Sequence, residues 1–232
     1  MFKNIFLGIT ILLLLIYFSA SFLYDQKYVL FIKPLIIPCF FGYAYHELKS
    51  KINQKYVFFI LFFYVGESFI LYMNWYAFLY PLGLLCYFFS YLCLVLLVLP
   101  YINTSSLIRQ IGIYPVFTFL LIISLLIFLL DIIFDSETTI FLNLLIILNA
   151  LSAILLSVIA FIYLQQYFFR KSIFYFFGSF SIFFSDILSA LEVYYLENIV
   201  LNITERFLHF LGFYLIYLFY IENSKNNDQF LV

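Results

Sequence analysis

Apolar runs of about 20 residues, the length that crosses roughly 30 Å of hydrocarbon at 1.5 Å per residue, recur along the chain between short polar clusters. They predict eight helices: Asn4 to Leu23, Tyr28 to Tyr45, Tyr56 to Met73, Tyr76 to Leu99, Ile111 to Leu130, Ile140 to Tyr163, Ser172 to Tyr194 and Ile199 to Ile221. The third and fourth runs nearly fuse at Asn74-Trp75, where a tight turn with Trp75 at the lipid headgroup level separates them. The expected fold class is all-α: a polytopic transmembrane bundle of eight helices forming one domain over 1–221, with a short polar cytoplasmic tail over 222–232.

Composition points the same way. The 232 residues are 67% hydrophobic and 10% charged, against about 25% charged in soluble domains, so the chain is read as an integral, multi-pass membrane protein. No basic stripe interleaved with base-stacking aromatics occurs, which removes nucleic acid as a partner. Cys39, Cys86 and Cys93 fall inside apolar runs, and no CxxC or Cys/His cluster has metal-ligand spacing, so neither a metal nor a cofactor is expected. Lys3, the apolar run behind it and Ser19-Ala20-Ser21 have the features of a signal peptide. The run continues through Phe22-Leu23 to spanning length, and a retained helix is expected.

Basic residues set the orientation. A cytoplasmic N-terminus places Lys3, Lys49, Lys51, Lys55, Arg109, Arg170, Lys171 and Lys225 inside, eight of the eleven Lys and Arg. Lys27, Lys33 and Arg206 remain outside, together with Asp131, Asp135 and Glu137. Both termini are therefore expected in the cytoplasm, and the membrane is expected to be the inner membrane of a bacterium. The linker from Tyr101 to Gln110 and the tail from Glu222 read as solvated connectors. Asn103-Thr104-Ser105 and Asn202-Ile203-Thr204 match the glycosylation pattern, which matters only in a secretory pathway.

Against this background a few polar residues stand out. Glu67, in Tyr64-Val65-Gly66-Glu67-Ser68-Phe69, and Asp186, in Phe183-Phe184-Ser185-Asp186-Ile187, are carboxyls inside apolar runs. Insertion of such a group costs roughly 2.5 to 3.5 kcal/mol, so it faces a bundle interior or a wet cavity and is a functional candidate by default. The predicted topology puts both about two turns from the outer end of their helices, with Lys33 and His209 in the same outer half. Each has a plainer reading. Glu67 can be a neutral acid bonded to Tyr91 or a serine, His209 a satisfied interior histidine, Tyr91 packing between helices, and Lys33 a snorkelling side chain. Asn143 and Asn149 read as interhelical glue, worth about 0.6 kcal/mol each. Glu67 and Asp186 are 119 residues apart, and Tyr91 and His209 118; two parallel four-helix halves or coincidence both account for this.

These residues, in this order, resemble the YhhN family of eight-helix membrane proteins, whose characterised members include lysoplasmalogenases. Lys33-Pro34-Leu35 corresponds to a Lys-Pro-Leu that opens helix two, and Gly66-Glu67 to a Gly-Asp in helix three. Gly83, Tyr87, Ser90 and Tyr91 correspond to Gly, Phe and Gly-His in helix four, with the His replaced. Gly178, Ser185, Asp186 and Ala190 match helix seven.

The resemblance implies cleavage of the vinyl-ether bond of a lysophospholipid in the bilayer. Protonation of the alkene carbon leaves an oxocarbenium ion, water adds, and the hemiacetal collapses to a fatty aldehyde and a glycerophospho-headgroup. Two carboxyls in low dielectric, one neutral and one charged, suit that chemistry, as they do in glycoside hydrolysis. On this reading Glu67 is the proton donor and Asp186 the charged partner, supported by Ser185 and Ser189. Lys33 holds the phosphate and His209 tunes the pair. A carrier or proton-coupled transporter and an inactive lipid-binding or structural protein are the alternatives. A Ser/His/Asp triad is not expected, because no Gly-x-Ser-x-Gly elbow is present.

Overall fold

The computed structural model describes residues 2–23, 32–48, 52–73, 75–103, 139–194 and 198–227, together with 120, 124 and 127. Among them are seven α-helices: α1 Phe2–Leu23, α2 Lys33–Leu48, α3 Gln54–Tyr72, α4 Leu79–Val98, α5 Ile140–Gln166, α6 Arg170–Tyr194 and α7 Ile199–Asn227. A single 3-10 turn, Leu99–Tyr101, follows α4. The predicted helix over Ile111 to Leu130 lies outside the described residues except at 120, 124 and 127, which are helical. Among the described residues the fold is all-helical, and five helices, α3 to α7, are long and apolar enough to cross a membrane. At 1.5 Å per residue the 27 residues of α5 extend about 40 Å, more than the roughly 30 Å of a hydrocarbon core.

Local chemistry fixes the helix starts. Asn53 Oδ1 accepts from Lys55 N at 2.9 Å ahead of α3, and Thr139 Oγ1 accepts from Leu142 N at 3.4 Å ahead of α5. Asn198 Oδ1 accepts from Val200 N at 2.8 Å ahead of α7. Each side chain satisfies an amide that the first turn leaves without an intrahelical partner. Pro34 sits in the first turn of α2, where a missing N–H is harmless. Between α3 and α4 the chain turns as expected, with Trp75 N bonded to Tyr72 O at 3.1 Å and Trp75 exposed. The other bounds move modestly: α4 begins at Leu79 rather than Tyr76, and α7 continues six residues past Ile221. The stretch read as a solvated tail thus begins inside α7, where Asn223 is buried.

The chain divides into two compact units, Met1–Cys93 with Tyr220–Val232, and Leu94–Phe219. In the first, α1 packs on α2 and α2 on α3, and α3 meets α4 through Ser90, whose hydroxyl donates to Phe59 O at 3.3 Å. Tyr56 at the start of α3 stacks on Tyr220 with ring centroids 4.1 Å apart, and Asn53 N donates to the Tyr220 hydroxyl.

In the second unit α5 packs on α6, and Tyr163, Tyr175 and Phe219 form a buried aromatic cluster. The Tyr175 hydroxyl donates to Leu94 O at 2.9 Å. Gly212 brings α7 close to α6, since a Cβ there would lie 2.6 Å from Ile182 Cγ1 and 3.0 Å from Gly178 O. Such glycine-mediated approach is how helices gain van der Waals contact in lipid. Leu15, Leu61, Leu151, Phe177 and Phe207 stay exposed.

Candidate functional site

In the first unit, three residues from separate helices meet at one carboxylate oxygen. α3 carries Glu67 facing inward, its side chain 6% exposed, and Lys33 from the first turn of α2 brings Nζ to 3.3 Å from Oε1. The Tyr87 hydroxyl of α4 donates to the same oxygen at 2.9 Å. Lys33 is itself only 14% exposed, so it reaches inward to a carboxylate instead of extending toward an interface. Of the two readings of Lys33 open at the sequence level, neither named this partner.

The surrounding packing holds the cluster. Gly66 makes room for Tyr87: a Cβ there would lie 3.1 Å from Tyr87 Cε1 and 3.3 Å from Cys86 Cβ. The Tyr87 ring also lies 5.0 Å from that of Phe63, one turn before Glu67. Ser68 turns its hydroxyl back to Tyr64 O at 2.8 Å. Tyr91, one turn beyond Tyr87 in α4, is buried in the same unit. Oε1 thus accepts from two side chains of neighbouring helices at once.

In the sequence Tyr87 stands out only as a motif position, and the partner expected for Glu67 was Tyr91 or a serine. Its signal was the four-residue spacing from Gly83 and to Tyr91, which puts all three on one face of α4.

The second unit holds another buried polar group. Ser185 of α6 lies with its Oγ 3.3 Å from Glu205 Oε1 and 3.4 Å from His209 Nδ1, both on α7. Glu205 and His209 are one turn apart on α7, 4.0 Å between Oε1 and Nδ1. His209 is 2% exposed, and its ring lies against Phe210 and Phe213 at 5.4 and 5.3 Å. Asp186, next to Ser185, is half-buried. Near the start of α7, Asn202 is buried and its amide donates to Glu192 of α6. The glycosylation match at Asn202 is thus a buried helix contact.

Arg206, counted from sequence among the outer charges, lies seven residues into α7 and is buried. Glu205 was missed altogether, although its four-residue spacing to His209 was visible in the sequence. Among the described residues no three His, Cys, Asp or Glu side chains gather as a metal site.

Comparison with known proteins finds no matching family model, no matching curated sequence and no matching solved structure.

Proposed function

We propose that this chain is a YhhN-like membrane hydrolase that opens the vinyl-ether bond of lysoplasmalogens in the bilayer. The observation that carries the reading is the convergence on Glu67 Oε1 of Lys33 and Tyr87. Residues from three of the short motifs behind the resemblance, widely separated in sequence, share one buried carboxylate. Eight helices, cytoplasmic termini and a place in a bacterial inner membrane belong to the same reading.

On this reading Glu67 gives a proton to the alkene carbon, stabilises the oxocarbenium ion as the carboxylate left behind, and regains a proton from the attacking water. Lys33 and Tyr87 fix the position of the Glu67 carboxyl. The atoms balance as one water added and one C–O bond broken, giving an aldehyde and the glycerophospho-headgroup.

The test is release of aldehyde from a vinyl-ether lysolipid by the purified protein in detergent. The native chain should turn the substrate over, and Glu67→Gln should lose about 100-fold or more, the scale of acid–base catalysis. Undiminished activity in that variant overturns the assignment. Substrate-dependent proton flux into proteoliposomes with no aldehyde would make the protein a carrier instead.

A further inference from the structure

Ser185 lies against both a carboxyl and an imidazole of α7. Glu205 Oε1 and His209 Nδ1 are 4.0 Å apart, beyond a direct hydrogen bond. Ser185 Oγ lies within reach of both, at 3.3 and 3.4 Å, and Ser185, Glu205 and His209 are all buried. A serine hydroxyl has a single proton and can donate to only one of the two. If it donates to Glu205, then His209 Nδ1 must carry a proton and donate to Oγ. If it donates to His209 Nδ1, then Glu205 must be protonated and donate to Oγ. The two arrangements differ by two coupled hops, from the carboxyl to Oγ and from Oγ to Nδ1. The net result converts a neutral acid and neutral imidazole into a carboxylate and imidazolium, with no change in total charge.

We propose that Glu205, Ser185 and His209 form a buried proton relay, with Ser185 Oγ passing a proton between the Glu205 carboxyl and His209 Nδ1. Its ligand is the proton itself. Among the described residues, the other charged groups within two turns of it along the two helices are Asp186 and Glu192 of α6 and Arg206 of α7. α5, the helix packed on α6, contains no Asp, Glu, Lys, Arg or His along its length. The relay stands apart from the vinyl-ether reading, since it rests on side-chain distances within the second unit alone.

The full chain in lipid nanodiscs tests it. The protein has two histidines, so His46→Gln leaves His209 as its sole imidazole for 15N-histidine NMR. The relay predicts an Nδ1 signal intermediate between the protonated and unprotonated limits and moving with temperature. Ser185→Ala should drive that signal to one limit, and Glu205→Gln should do the same. Ser185→Thr, which keeps a hydroxyl in place, should retain the averaged signal and also guards against a folding defect. An Nδ1 signal at the same limit in the parent and in Ser185→Ala overturns the relay. So does a Ser185→Thr variant that behaves as Ser185→Ala while remaining folded. Because the readout is a proton position and no product, either outcome leaves the aldehyde assay to decide the hydrolase reading separately.

Discussion

Lys33 Nζ lies 3.3 Å from Glu67 Oε1, with both side chains largely withdrawn from solvent. Removing one partner of such a pair strands a buried charge, which costs about 3–5 kcal/mol, whereas replacing both with apolar groups of similar size is close to neutral. Lys33→Met should therefore lower the melting temperature in detergent by several degrees, at roughly 2–4 °C per kcal/mol for a chain of this size. The double variant Lys33→Met with Glu67→Leu should recover most of the loss. Equal melting temperatures for the single and double variants would show that the pair is not buried as described.

Tyr87 contributes one hydroxyl to the same oxygen. A hydrogen bond to a charged group is worth about 1.5–3 kcal/mol, so Tyr87→Phe should destabilise by that amount while leaving the ring contact with Phe63 intact. Gly66→Ala should act on the same bond from the other side, because its Cβ would sit 3.1 Å from the Tyr87 ring. The two changes should be sub-additive in thermal unfolding, since the second removes a bond the first has already lost. Full additivity would separate Gly66 from the positioning of Tyr87.

Close approach of α6 and α7 brings Ser185 to Glu205 and His209, and Gly212 sets that approach. A Cβ at 212 would stand 2.6 Å from Ile182 Cγ1 and 3.0 Å from Gly178 O. Gly212→Ala should cost about 1–3 kcal/mol as overpacking. Adding Ile182→Ala should recover only part of this, because the Gly178 carbonyl is backbone and cannot retreat by changing rotamer. Complete recovery in chemical or thermal unfolding would place the whole clash on the Ile182 side chain.

The long helices were legible because a spanning run advertises itself by length and apolar content, and α3, α5 and α6 fall within a few residues of their predicted bounds. α7 was cut short because Glu222 to Asn227 are polar, and a rule tuned to hydrocarbon stops where helix propensity does not. Lys33 and Glu67 were each visible as a charge in or beside an apolar run. Their pairing was not, because which face of α2 meets α3 depends on helix rotation, which apolarity all round leaves unspecified. Glu205 and Arg206 escaped for a related reason: charges near a predicted helix start are discounted as interfacial, yet both are buried.

The contact between Asn202 and Glu192 offers a sharper test of how α6 meets α7 near the start of α7. The Asn202 amide donates to the Glu192 carboxylate, and Asn202 is buried. Asn202→Ala removes the donor and leaves an acceptor less well satisfied, at about 1–3 kcal/mol. Asn202→Asp keeps the size and shape but sets a second carboxylate against the first. Like charges at that separation cannot both be ionised without a further penalty, so one must take up a proton or the helices must part. The expected order of thermal stability is native, then Asn202→Ala, then Asn202→Asp, even though Asp is the closer match in volume. If Asn202→Asp is as stable as the native protein, the amide does not face Glu192. If Ala and Asp are equally destabilising, volume and donor loss account for the effect and the carboxylate contributes nothing. With the expected order, Glu192→Gln added to Asn202→Asp should restore stability, since an amide and a carboxylate again face each other with their roles exchanged.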